Sequence, residues 1–171
     1  MNKRLRKKLN KKRERVEIFQ YAANGQASKI QELIEAGSDI NKKDIGGYTP
    51  LHFAVQENHL EIIQLLLSSG AGINLKDKNG FSPLYIAASE GHTKAIDLLI
   101  KNGADIEIKS NDGTTPLIIA SCFNHLETVK VLVQKGSNIN AKVNGGNTAL
   151  SFAEEYGNKE VATFLRQQSK E

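Results

Sequence analysis

The sequence predicts an all-α solenoid of about five helix-turn-helix repeats with hairpin loops. Two observations carry this. The string Thr49-Pro50-Leu51-His52 returns as Ser82-Pro83-Leu84-Tyr85, Thr115-Pro116-Leu117-Ile118 and Thr148-Ala149-Leu150-Ser151, each 33 residues after the last. The same step joins Ala54, Ala87, Ala120 and Ala153, the glycines Gly37, Gly70, Gly103 and Gly136, the isoleucines Ile40, Ile73, Ile106 and Ile139, and the loop glycines Gly47, Gly80, Gly113 and Gly146. Several ladders at one spacing mean a repeated supersecondary unit rather than a composition bias.

Within a unit the elements follow from local chemistry. Thr or Ser ahead of Pro supplies an N-cap and a first helical residue, so each Thr-Pro pair starts a short first helix. That helix ends near Asn58, Gly91, Asn124 or Gly157, residue types that tolerate a left-handed turn. A second helix follows, as in Leu60 to Ser68, with apolar residues at helical spacing, and stops before a glycine such as Gly70. Turn residues such as Asp77-Lys78-Asn79-Gly80 then form a hairpin tip. One such unit cannot bury its apolar face alone. Stacking buries rows such as Ile30, Ile63, Ile96, Val129, Ala162 and Leu33, Leu66, Leu99, Leu132, Leu165.

The predicted units are 16–43, 44–76, 77–109, 110–142 and 143–168, after a basic arm at 1–15 and before a short tail at 169–171. The first unit opens on Val16-Glu17-Ile18-Phe19 instead of Thr-Pro and reads as an N-terminal cap. In the last, the row Ile34, Leu67, Ile100, Val133 changes to Arg166, as a solvent-facing cap requires. With a cap at each end, a complete array is expected.

Tyr48-Thr49-Pro50-Leu51-His52-Phe53-Ala54, Asn58-His59-Leu60-Glu61 and Gly70-Ala71-Gly72-Ile73-Asn74 together resemble the ankyrin-repeat pattern, over residues 16–168. Tyr85 and Ile118 depart from it where His is usual. The resemblance implies stacked helix pairs with projecting hairpins. It also implies partner binding along a concave face made by the hairpin tips and first helices. It does not imply which partner, because one fold hosts many.

Composition bounds the rest. Hydrophobic residues are 39% and charged residues 25%, so wholesale disorder is not expected. No apolar run reaches the roughly 18 residues of a spanning helix, and no apolar stretch follows the N-terminal charge, so no secretory signal is read. One cysteine, Cys122, cannot form an internal disulfide. A cytoplasmic protein is expected. The net charge of +4 conceals an uneven distribution. Residues 1–15 carry nine bases (Lys3, Arg4, Arg6, Lys7, Lys8, Lys11, Lys12, Arg13, Arg15) against Glu14, which leaves the rest of the chain net acidic. Such a block reads as a solvated arm or a frayed basic helix. It could touch nucleic acid or an anionic surface, localise the protein, steer an acidic partner, or simply keep the protein soluble. Without interleaved aromatics, base-specific recognition is not expected.

Candidate chemistry reduces to structure. His59, His92 and His125 occupy one repeat position and so lie in a row rather than converging on an ion. The resemblance gives them a hydrogen bond to a neighbouring loop, and gives His52 a bond near Thr49. Cys122 with His125 lacks the orienting third group of a nucleophile–base pair. Glu57, Glu90, Glu154 and Glu155 have no apolar pocket to split their pKa values. Gly46-Gly47 and Gly145-Gly146 sit at hairpin tips, not between a strand and a phosphate-binding helix. Asn41, Asn74 and Asn140 brace loops, although the equivalent Asn is hydroxylated in some resembling animal proteins. No enzyme activity, no cofactor, no metal and no small-molecule substrate are expected.

The variable positions remain. By repeat step, the tip and helix-end positions include Ile45, Tyr48, Gln56, Glu57, Lys78, Phe81, Ser89, Glu90, Asp112, Thr114, Phe123, Glu155 and Tyr156. The fold needs no apolar residue there, yet Ile45, Tyr48, Phe81, Phe123 and Tyr156 occupy them among acids, a pattern of interface hot spots. Tyr48 and Phe81 are also placed to pack locally. The expected function is a monomeric, non-catalytic module that binds a protein partner in its groove, as an inhibitor, immunity or regulatory partner. The excess of Lys over Arg suggests an AT-rich bacterial source, where small proteins of this family often resemble such inhibitors. The alternative is an electrostatic nucleic-acid or membrane-surface adaptor acting through residues 3–15.

Overall fold

Ten helices in five successive pairs make up the secondary structure of residues 17–169, the part of the chain that the computed structural model describes. The basic arm lies outside the described residues, as does the end of the tail. α1 covers 17–23 and α2 Ala27–Glu35. α3 (Pro50–Gln56) and α4 (Leu60–Ser68) follow. Next come α5 (Pro83–Ser89), α6 (Thr93–Lys101), α7 (Pro116–Cys122) and α8 (Leu126–Gln134), then α9 (Ala149–Glu155) and α10 (Lys159–Gln168). The only β pairing among the described residues is an isolated bridge between Lys142 and Thr148 in the last hairpin. The chain divides into two compact units at Gly72/Ile73.

In the first unit α4 packs on α3 and on α2. Its core is Ile18, Ala22, Ile30, Leu51, Ala54, Val55, Ile62, Ile63 and Leu66. In the second unit each first helix packs on the next, α5 on α7 and α7 on α9, while the second helices α6, α8 and α10 form the layer behind. Leu84, Ile96, Leu99, Leu117, Val129, Leu132, Val161 and Leu165 fill the space between. Ala87, Ala120 and Ala153 are fully buried at the third position from the C-terminus of α5, α7 and α9. Their carbonyls accept the His92, His125 and Asn158 amides at 2.9, 3.0 and 2.8 Å, which closes each helix in a Schellman turn.

The helix starts show how the motif works and what its departures change. His52 Nδ1 accepts from the Thr49 N–H at 3.1 Å and lies 2.7 Å from Thr49 Oγ1, so the helix end and the cap satisfy each other. With Tyr85 and Ile118 in the His position, one half survives: Ser82 Oγ accepts the Tyr85 amide and Thr115 Oγ1 the Ile118 amide. Ser151 restores the reciprocal bond, accepting the Thr148 amide at 2.7 Å while Thr148 Oγ1 accepts the Ser151 amide at 3.2 Å. At the far end, Arg166 reaches Glu154 Oε1 through Nη2 at 2.7 Å and Nε at 3.2 Å. A charged pair thus stands at the last position of a row that is apolar in earlier repeats.

Candidate docking face

Every hairpin tip is shaped by the same backbone bonds. The amides of Asp44, Asp77, Ser110 and Val143 donate to the carbonyls of Tyr48, Phe81, Thr114 and Asn147 at 2.9–3.0 Å. Side chains at the first position then brace the turn from inside. Asp77 Oδ1 accepts the Asn79 and Phe81 amides at 2.9 and 2.7 Å, and Asp44 Oδ1 accepts the Tyr48 amide at 2.8 Å. Ser110 accepts the Thr114 amide at 3.0 Å and donates to Asp112, which also takes that amide at 3.1 Å. The Ser110 hydroxyl is the main cause that holds the Asp112 carboxyl below its usual range.

Within the second unit successive tips are tied to one another. The Asn111 amide donates to the Asn79 carbonyl at 3.1 Å and the Asn144 amide to the Asp112 carbonyl at 2.9 Å. Gly80 and Gly113 permit this approach. A Cβ on Gly80 would stand 2.6 Å from the Asn111 nitrogen, and one on Gly113 3.0 Å from the Asn144 nitrogen. The loops behind are braced as well. Asn41 Oδ1 accepts the Gly72 amide in the first unit, and Asn74 Oδ1 the Asp105 amide in the second. Glu107, which interrupts the Asn ladder, does the same work by accepting the Asn138 amide at 2.8 Å.

The histidines are consumed in the same way. His59 Nε2 donates to the Ala23 carbonyl at 2.9 Å, and His125 Nε2 to the Ser89 carbonyl at 2.8 Å. Asn158, the equivalent residue of the last repeat, donates to the Ser121 and Cys122 carbonyls at 2.8 and 2.9 Å. Among the described residues, no three His, Cys, Asp or Glu side chains gather in a way that could hold a metal. Cys122 is half-buried, and that burial is the main cause pushing its thiol up to about 11, away from nucleophilic use at neutral pH.

The predicted partner positions separate by exposure. In the first unit Ile45 is 91% exposed at its tip, and Gln56 and Glu57 are exposed at the end of α3. Tyr48 is half-buried, tilted against His52 and Phe53 with centroids 5.4 and 5.6 Å away. In the second unit Lys78, Glu90, Asp112 and Glu155 are exposed, and Ser89 is partly covered. Phe81 is half-buried and stacks flat on Tyr85, centroids 4.3 Å apart. Phe123 and Tyr156 are 57% and 60% exposed, at the ends of α7 and α9. Thr114 is different: it is only 6% exposed, with its amide and carbonyl both inside the turn, so it supports the tip and offers almost no surface. Two rings outside the expected contact positions pack against those inside them, Tyr85 against Phe81 and Phe152 against Tyr156, the latter pair 6.2 Å apart. For Phe152 and Tyr156 the spacing of four residues along α9 is a signal in the sequence; Phe81 precedes α5 on extended chain, so no helical spacing announces its stacking on Tyr85.

The arrangement offers rings and carboxylates on a braced backbone, with no assembled reactive group among the described residues. No helix among them is long and apolar enough to cross a membrane. No curated protein matches the chain. A family model described as ankyrin repeats (3 copies) matches residues 18–110 and 102–171. Proteins built from these repeats are generally protein–protein interaction modules and typically not enzymes. Nearly the whole described chain fits that pattern in both sequence and helix pairing, and the protein belongs to the ankyrin-repeat family.

Proposed function

We propose that the chain is a non-catalytic binding module that holds one protein partner against its hairpin tips and first-helix ends. The carrying observation is the exposure of Phe123 and Tyr156, two large rings more than half in solvent at the ends of the successive first helices α7 and α9. Ile45, Tyr48, Gln56 and Glu57 serve the partner in the first unit; Lys78, Phe81, Ser89, Glu90, Asp112 and Glu155 serve it in the second. Aromatic anchors desolvated within a charged rim are the usual centre of binding energy. The braced tips and closed helix ends support this reading, since a preorganised surface loses little freedom on binding. An inhibitory, immunity or regulatory role suits a monomer that acts by occupancy, and the single cysteine suits the cytoplasm.

A second reading rests on the nine bases at residues 3–15: an adaptor that binds nucleic acid or an anionic surface through the arm. Capture from source-cell lysate separates the two, using the full chain, a Phe123→Ala/Tyr156→Ala variant and a deletion of residues 1–15. A protein retained by the full chain and the deletion but lost by the double variant supports the docking reading. Capture that follows the arm and carries nucleic acid overturns it.

A further inference from the structure

The surface at the ends of α5, α7 and α9 has a chemical bias beyond its rings. Glu90, Phe123, Glu155 and Tyr156 stand at the C-terminal ends of three helices that pack consecutively, with Asp112 on the adjoining tip. Lys78 is the one base among the proposed contact positions of this unit. Nearby, the Arg166 guanidinium is already taken by Glu154. Glu90 and Glu155 are exposed.

We infer that the partner's docking segment is cationic, with Arg or Lys placed beside an aromatic or large aliphatic anchor that sits on Phe123 and Tyr156. The inference rests on the docking reading above and names the partner chemistry of that face. Three observations argue it together. First, Phe123 and Tyr156 are more than half exposed even with Phe123 tilted against His125 and Tyr156 stacked on Phe152, so a guanidinium or ammonium can reach an open ring face while its neighbour packs on the rings. Second, Glu155 directly precedes Tyr156 at the end of α9 and Glu90 holds at the end of α5 the position that Phe123 holds at the end of α7, so exposed carboxylates at these ends complement a positive side chain and oppose an acidic one. Third, two covered groups on α5 and α7 lie close enough to carboxylates of this face to be raised by them as well as by burial. Burial comes first in pushing the Cys122 thiol up, and the Glu155 and Asp112 carboxylates push it the same way. Burial likewise raises the Tyr85 hydroxyl to about 12, with Asp112 and Asp77 adding to it.

A random dodecapeptide library displayed on phage, panned on the full chain, tests this because every peptide chemistry competes. The expected result is enrichment of sequences with two or more Arg or Lys beside an aromatic or aliphatic residue. The leading peptide, synthesised and measured by fluorescence anisotropy, should bind about 5- to 10-fold more weakly to Glu90→Gln/Glu155→Gln. It should bind about 30-fold more weakly to Phe123→Ala/Tyr156→Ala. Enrichment of acidic or uncharged peptides, no enrichment, or cationic peptides indifferent to Glu90→Gln/Glu155→Gln each overturns the inference. If peptides of another charge are selected but still lose binding in the ring variant, the cationic chemistry fails and the docking face stands. If the selected peptides ignore the ring variant, the docking face fails with it.

Discussion

Gly91→Ala and His125→Asn, made singly and together, test how adjacent repeats are locked. Gly91 ends its helix turn at φ +71°, and its notional Cβ lies 2.7 Å from His125 Nδ1 and 2.9 Å from Cγ. Two penalties follow for alanine. The left-handed backbone costs about 1 kcal/mol, and the methyl group displaces an imidazole whose Nε2 bond to the Ser89 carbonyl is worth about 1 kcal/mol, more if the carbonyl is left unpaired. The expected loss in the native background is therefore about 2–3 kcal/mol. The junction of the last two repeats shows a way out, with Asn124 at φ +60° in one and an Asn158 side chain in the next spanning to the Ser121 and Cys122 carbonyls. His125→Asn removes the ring that meets the methyl, so Gly91→Ala should then cost only the backbone share. Urea unfolding followed by far-UV circular dichroism reads the cycle, with an expected coupling of about 1 kcal/mol. Equal costs of Gly91→Ala in both backgrounds would show that the ring does not impose the glycine.

Three further tests probe single groups. Ser137 Oγ is the one buried side-chain polar atom without a partner among the described residues, and Ala71 and Ala104 hold the same step of the repeat. Ser137→Ala should therefore raise stability by about 1 kcal/mol in the same assay. The Asp112 carboxyl titrates lower in the folded chain than when unfolded, so its contribution is present above the ordinary carboxylate range and is lost as pH falls through the lowered value. The urea midpoints of wild type and Asp112→Asn should differ near neutral pH and converge as pH falls through that lowered value. Cys122, with its thiol raised to about 11, should react with iodoacetamide near pH 8 on the order of 10- to 100-fold more slowly when folded than in urea. Equal rates would place the thiol in open solvent.

Much of the fold is legible because the repeat multiplies each weak signal. A single Thr-Pro is a poor helix start, but four aligned starts at one step also reveal the buried alanines and the turn residues. The substitutions within the ladders were harder to read. Glu107 looks like an interruption of the Asn row, yet its carboxylate accepts the same kind of loop amide that Asn74 does. Asn158 replaces a histidine and spans the same gap with its amide. Different side chains solve one geometric demand, which spacing alone does not display. The exposure of Phe123 and Tyr156 is legible because the repeat demands no ring at that turn position, although Tyr156 still stacks on Phe152. It was less so at Phe81 and Tyr48, whose rings are half-spent on Tyr85 and on His52 and Phe53. The low exposure of Thr114 is not legible in the sequence, because the step of 33 fixes which position a residue holds and not how tightly the Ser110 turn encloses it.

The central claim is that a protein partner binds the ringed helix ends rather than the basic arm. Calorimetric titration of the captured partner against wild type, Phe123→Ala/Tyr156→Ala and the deletion of residues 1–15 tests it most directly, at low and at high salt. The expected result is a loss of about 30-fold or more for the ring variant, with unfolding midpoints unchanged and little effect of the deletion. Binding that survives the ring variant, yet vanishes with the arm or collapses steeply with salt, would contradict the claim.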